Sequence, residues 1–224
     1  MDKIDIILDN LRNGTPQALA RFNDGEMRAI VKVGDKVARG CQKVTQQLQD
    51  KLKEAIRHEQ KNYWKGLPCE VCWPRWKKHA DFYVNSKYEF FTCAVVNTNR
   101  NLQKVYDEFP KAVEGKFIYW VSGNDQNLDN LEKETGIKIA QKLTLPRRNA
   151  WGEYDRIKGY HTRFNQGSIV VLSCGPMAEV LVKEWFQHRP DVTFLDMGST
   201  FEPFTRGIKF RCHKGTLPPC KGCN

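Results

Sequence analysis

The sequence predicts an α/β fold: a Rossmann-like, mostly parallel sheet with helices on both faces. Three short runs carry that prediction, FIYWV (117–121), SIVVLS (168–173) and VTFLDM (192–197). Each is apolar at consecutive positions, as in a strand buried on both sides, whereas a half-exposed strand alternates. Polar turns and helical patterns lie between them, the alternation that builds a parallel sheet. At 224 residues, 40% hydrophobic and 28% charged, the chain suits one domain, residues 1–224, with a full core, and is too apolar to be disordered.

Taken in order, Ala18 to Phe22 predicts a short strand. A helix from about Thr45 to Glu59 puts Leu48, Leu52, Ala55 and Ile56 on one face. The first half otherwise reads as mostly helical. FIYWV opens the second half, followed by the polar turn Ser122-Gly123-Asn124-Asp125 and a helix to about Glu134. IKIAQKLTL (137–145) is a less regular strand candidate; Pro146 breaks it, and a helix is expected from about Trp151. SIVVLS enters Gly175-Pro176 and a helix striped by Met177, Val180, Leu181 and Trp185. Ligands of such sheets sit beyond the carboxyl ends of the strands. Ser122-Gly123, Cys174-Gly175-Pro176 and Asp196 to Glu202 are therefore expected on one rim.

Net charge is +10, which favours polyanionic partners without choosing among nucleic acid, anionic lipid and phosphorylated substrates. From Pro203 onward there are five Lys or Arg residues and no acid, and residues 36 to 78 form a second basic stretch. No run approaches the roughly 20 apolar residues of a membrane helix. The start, MDKIDIILDN, carries acids within its apolar run, unlike a signal peptide, so a cytoplasmic location is expected.

RFNDGE (21–26) poses the sharpest local question. If the chain is still extended there, Asp24 and Glu26 point to one side. Two convergent carboxylates suit Mg²⁺ or Mn²⁺ with a substrate diphosphate, and Arg21 adds a planar fork for phosphate oxygens. Gly25 allows a close backbone approach or positive φ, which Asn23 also tolerates. Equally, Asn23 followed by Glu26 before MRAIV reads as a helix-capping box.

In LSCGPMAEV, a buried strand ending at Gly175-Pro176 leaves backbone N–H groups at a helix start, with Pro176 suited to the first helical position. In DMGSTFEPF, Asp196 ends a strand, Gly198 permits a turn, and Glu202 can return to the same rim as a general base. There, a surface acid in a loop is the plainer alternative.

The eight cysteines include two C-x-x-C pairs, Cys69/Cys72 and Cys220/Cys223, which together make a four-thiolate set for structural Zn²⁺. Such a site would staple the basic tail, 205–224, to the insertion at 65–78, with Cys212 and His213 as substitute ligands. Cys41, Cys93 and Cys174 read as core residues. His58, His79, His161 and His188 show no metal-ligand spacing.

Together these stretches resemble the GT-D-type glycosyltransferases, once filed as a domain of unknown function. Four blocks match in order: Arg21-Phe22-Asn23-Asp24-Gly25-Glu26; LPRRNAWGEYD with Pro146, Asn149, Tyr154 and Asp155; Leu172 to Leu181 around Gly175-Pro176; and Asp196-Met197-Gly198-Ser199 with Glu202-Pro203. The resemblance implies transfer of a sugar from a nucleotide diphosphate donor, typically a UDP-sugar, to a glycan hydroxyl. It implies Asp24 and Glu26 as the Mn²⁺ or Mg²⁺ and diphosphate motif, and Gly175 and Pro176 beside the nucleotide. Glu202 becomes the candidate acceptor base and Asp196 its support. Arg21, Asn23, Gly25, Gly123, Asn149 and Ser199 fall to substrate or nucleotide contacts. Asn23 stands where the family has glycine, Ser199 where it has histidine, and Pro203 where it has an aromatic residue. The competing reading is a basic, zinc-stapled nucleic-acid-binding protein or a metal-dependent nuclease.

Overall fold

In the computed structural model, which describes residues 2–37, 41–71, 73–84, 91–92, 95–96 and 99–207, the chain opens with α1 (Lys3–Arg12) and β1 (Ala18–Arg21). Then come α2 (Asp24–Val31), β2 (Lys36–Val37), β3 (Gln42–Lys43), α3 (Gln46–Arg57), β4 (Tyr63–Leu67), α4 (Pro74–Asp81) and β5 (Phe91–Thr92). The second half follows as α5 (Asn99–Ala112), β6 (Ile118–Gly123), α6 (Leu128–Thr135), β7 (Gln141–Leu145), α7 (Tyr154–Ile157), β8 (Ile169–Ser173), α8 (Met177–His188), β9 (Thr193–Asp196) and α9 (Glu202–Arg206).

Seven strands make one parallel sheet in the order β5-β4-β1-β9-β8-β6-β7, while β2 and β3 pair antiparallel as a separate hairpin. Alternate residues of each central strand feed two different cores. Ala18, Ala20, Val121, Val170, Leu172 and Phe194 pack on one face with α2, α3 and α8. Leu19, Ile118, Trp120, Val171 and Leu195 pack on the other with α1 and α5. That two-sided demand is why the strands are apolar without alternation. Thr45 caps α3, its hydroxyl accepting from Leu48 N–H at 3.1 Å. At the other end of the scale, α8 is buried on nearly every side from Met177 to Val182, so truncating Leu181 to alanine would cost about 2–5 kcal/mol.

Several expectations need correction. The first half is rich in helix, with α1 to α5, but it also supplies three of the seven strands of the sheet, and of these β4 and β5 were not expected. β4, YWKGL, contains a lysine and a glycine that break the apolar run. The helix expected from Trp151 is instead a 3-10 turn (Ala150–Glu153), the single turn α7 and another 3-10 stretch (Lys158–Arg163). The candidate strand 137–145 pairs only from Gln141. Cys41 lies half-buried in a turn, Cys174 is buried, and Cys93 lies outside the described residues.

Candidate active site

Strand register brings the sequence blocks to one edge. Ser122 is level with Ser173, Leu172 with Asp196, and Leu19 with Leu195, so β6, β8, β9 and β1 end together. Their carboxyl ends present Gly123, Gly175-Pro176, Asp196 to Ser199 and Arg21 to Glu26 along a single rim.

Arg21 ends β1 and is only 1% exposed. Its Nε donates to the Asp196 carbonyl at 2.7 Å and to Asp196 Oδ2 at 3.2 Å. Asp196 Oδ1 accepts from Gly198 N–H at 2.9 Å. Gly198 itself holds φ +49°, and a Cβ there would collide with Arg21 Nη2. Glycine is thus required twice over, for its dihedral and for the room it leaves the guanidinium. Arg21 is thus a buried strut between β1 and β9, its guanidinium held against Asp196.

The extended reading of residues 21–24 fails. Asp24 is already the first residue of α2, and Asn23 and Glu26 form the capping box. Glu26 Oε2 accepts from Asn23 N–H at 3.0 Å. Asn23 sits at φ −79° and Gly25 is helical, so neither uses positive φ. Asp24 is half-buried at the mouth, while Glu26 turns inward and is 9% exposed. Burial first, then the charges of Asp196 and Asp24, push its carboxyl up to about 7.

A third carboxyl, Glu179 in the first turn of α8, joins them; it was absent from the residues singled out in the sequence. It is 2% exposed, and burial, then the charges of Glu26 and Asp196, hold it well above the ordinary range. The same carboxylate cluster adds to burial in raising the Cys174 thiol and the Tyr63 hydroxyl. Three acids from α2, α8 and β9 therefore lie within electrostatic reach of one another, and Asp196 among them pairs with the buried Arg21. The signal that could have found Glu179 is a lone acid inside the stripe Met177-Ala178-Glu179-Val180-Leu181-Val182.

Glu202 opens α9 and is 4% exposed. Its Oε1 accepts from Arg206 Nη1 at 2.6 Å, and Arg206 Nη2 reaches Asp125 Oδ1 at 2.8 Å. Asp125 in turn pairs with Arg147 Nε at 3.3 Å, linking the ends of β6 and β7 to α9. Glu202 and burial together push the Tyr106 hydroxyl up to about 12, with burial the larger cause. Ser199 is half-buried, and its carbonyl accepts from Glu202 N–H at 3.2 Å.

Asn149 adopts φ +51° and ties the loop after β7 to the β2–β3 hairpin. Its N–H donates to Cys41 O at 2.7 Å, and its Oδ1 accepts from Lys43 N–H at 3.1 Å. Trp151 N–H adds a bond to Gln42 Oε1 at 3.1 Å. Pro176 is the N-cap residue of α8, one position earlier than expected, after Gly175 at φ +69°.

Among the described residues no group of three or more His, Cys, Asp or Glu side chains is placed to hold a metal ion. The hard oxygens of Asp24 and Glu26 still fit Mg²⁺ or Mn²⁺, which use one or two carboxylates and take remaining ligands from substrate phosphates and water. Of the suggested zinc ligands, Cys69 is buried, its carbonyl accepting from Trp73 N–H at 2.8 Å. Cys72, Cys212, His213, Cys220 and Cys223 lie outside the described residues. No described helix is long and apolar enough to cross a membrane.

No protein-family model matches this chain, and no curated protein does. Solved structures do. A glycosyltransferase of domain of unknown function 1792 from Streptococcus sanguinis superposes with TM-score 0.70 at 18% identity, covering 90% of this chain and 83% of that one. A structure reported as showing that domain 1792 has a distinct glycosyltransferase fold gives 0.68 at 18%, over 88% and 78%. A selenomethionine-substituted structure of the same domain gives 0.67 at 17%, over 88% and 78%. The present chain shares the fold of these structures.

Proposed function

We propose that this chain, built on the fold of the domain-1792 glycosyltransferases, transfers a sugar from a nucleotide diphosphate donor, a UDP-sugar, to a glycan hydroxyl. The observation that carries this reading is the single rim: Asp24, Gly123, Gly175-Pro176 and Asp196 to Glu202 meet at the carboxyl ends of four adjacent parallel strands. That is where α/β sheets hold nucleotides.

In this reading the diphosphate lies between the first turn of α2 and the Gly175 turn, where backbone N–H groups point off the sheet. Asp24 and Glu26 are the residues that would hold Mn²⁺ or Mg²⁺, which offsets negative charge on the departing diphosphate. Arg21 and Asp196 fix the spacing of β1 and β9 beneath the site. The acceptor oxygen attacks the anomeric carbon, the bond from that carbon to the diphosphate breaks, and the acceptor proton passes to a carboxylate. Glu202 is the candidate for that proton, oriented by Arg206. Gly123 and Ser199 border the site, and Asn149 holds its wall. Cys69, Cys72, Cys220 and Cys223 form a structural zinc staple in the same proposal, tested by metal analysis of protein purified without added metal.

The test is thermal shift with UDP-, GDP-, CMP- and dTDP-sugars, with Mn²⁺ or with chelator. A ligand at 100 times its dissociation constant stabilises by about 2.7 kcal/mol, roughly 5–10 °C for a chain of this size. A shift confined to one nucleotide family, lost on chelation and in Asp24→Asn, is the expected result. No shift with any nucleotide sugar, alongside one with a short oligonucleotide, would overturn it.

A further inference from the structure

The β4–α4 segment exposes more apolar surface than its fold needs. Val71 is 67% exposed, Trp73 46% and Phe82 81%, three of the six large exposed hydrophobic residues among those described. They are not scattered. Trp76 and Ala80 turn α4 toward the core. The opposite face then carries Arg75, Lys78 and Phe82, at i, i+3 and i+7, all exposed. Phe82 keeps helical dihedrals as the C-cap, so the face continues through it. Val71 and Trp73 stand at the other end, next to the carboxyl end of β4.

The stretch of chain that leads into α4 is rich in cations. Residues 36 to 78 hold eleven Lys or Arg against four Asp or Glu. Within the segment the acids are Glu70 and Asp81, and Asp81 is paired with Lys77. Long cations beside exposed Trp, Phe and Val are the composition of a helix lying in a membrane interface. There the rings enter the headgroup layer and Lys and Arg reach lipid phosphates. A single-stranded nucleic acid would use the rings and cations but gives Val71 and the aliphatic edge nothing to contact.

We infer that the outward face of α4, with Val71 and Trp73, docks this protein reversibly on an anionic lipid surface. β4 neighbours β1 in the sheet, so the docking face begins beside the rim that carries Asp24. The inference stands apart from the transferase reading, because it needs no nucleotide and no turnover.

The experiment is co-sedimentation of the full chain with vesicles of phosphatidylcholine, with and without phosphatidylglycerol. Binding should require phosphatidylglycerol and weaken severalfold between 50 and 300 mM salt. Phe82→Ser with Trp73→Ser should reduce it at least tenfold, and Arg75→Gln with Lys78→Gln by a similar factor, with melting temperatures unchanged. Phe117→Ser removes an exposed ring before β6 and should leave binding intact. Anionic-vesicle binding that survives both α4 variants, equal binding to neutral vesicles, or an oligonucleotide affinity lost in these variants without any vesicle binding would overturn the proposal.

Discussion

Gly198→Ala tests how the rim is held, with Gly136→Ala as its control. Both glycines have positive φ, +49° and +74°. An added Cβ at Gly136 meets nothing within 4 Å, whereas at Gly198 it meets the Arg21 guanidinium and lies 3.6 Å from Asp196 Oδ1. Left-handed backbone costs alanine roughly 1–2 kcal/mol, and this applies to both variants. Only Gly198→Ala also drives Arg21 from Asp196, and breaking a buried ion pair costs about 3–5 kcal/mol. Since the side chain can shift partway, an excess of about 3 kcal/mol over the control is expected. Each kcal/mol is worth roughly 2–4 °C for this length, so Gly198→Ala should melt about 6–12 °C below Gly136→Ala. Urea titration at matched m-values gives the free energies directly. Equal losses in the two variants would refute the reasoning, showing that Arg21 is not confined by Gly198.

The remaining predictions concern the acids and the hairpin. Asp24→Asn should keep its fold to within about 0.5 kcal/mol, as a half-buried surface change does, and lose nucleotide-sugar transfer in an end-point assay. Glu26 keeps its proton more tightly when folded, being raised from 4.5 to about 7. The stability from this group is complete below the unfolded value, declines as pH rises and is gone above about 7. Denaturant midpoints across pH 4.5–8 should therefore fall more steeply for the native chain than for Glu26→Gln, which keeps the oxygen for Asn23 N–H. Glu179→Gln, replacing a buried acid whose Oε2 has no hydrogen-bond partner among the described residues, should melt at or above the native chain at pH 8. Asn149→Ala should cost about 2 kcal/mol through its left-handed backbone and the lost Lys43 bond; Asn149→Asp, keeping an acceptor and tolerance of that dihedral, should recover most of it by the same titration.

The strands and helices that were legible in the sequence are those whose packing is uniform along their length. FIYWV, SIVVLS and VTFLDM show their two-sided burial residue by residue, and α3 shows its one-sided burial through Leu48, Leu52, Ala55 and Ile56. β4 was hidden because Lys65 and Gly66 occupy a strand whose burial is set by neighbours far away in sequence. The site was legible as a set of blocks but not as a geometry. Whether Arg21 faces solvent or Asp196 depends on β9 arriving beside β1, a pairing separated by 175 residues. Likewise the inward turn of Glu26 follows from α2 starting at Asp24, one of the two local readings that RFNDGE permitted. Glu179 is not legible as a site residue, because helical spacing reports which face a residue lies on, while its acidity matters only once α8 is set against β9.

The position of β9 also bears on how the molecule is made. It is the last strand in sequence among the described residues, yet it lies between β1 and β8 near the middle of the sheet. Until residue 196 has left the ribosome, β1 with β4 and β8 with β6 can only be two separate half-sheets, each with an open apolar edge. At a synthesis rate of about 5–20 residues per second, roughly 9 to 35 s separate the emergence of Arg21 from that of Asp196. Throughout that interval Arg21 has no Asp196 to meet, and both half-sheets offer unpaired strand edges to other chains. Any holdase that shields nascent strands should matter more for this topology than for one whose central strand is synthesised first.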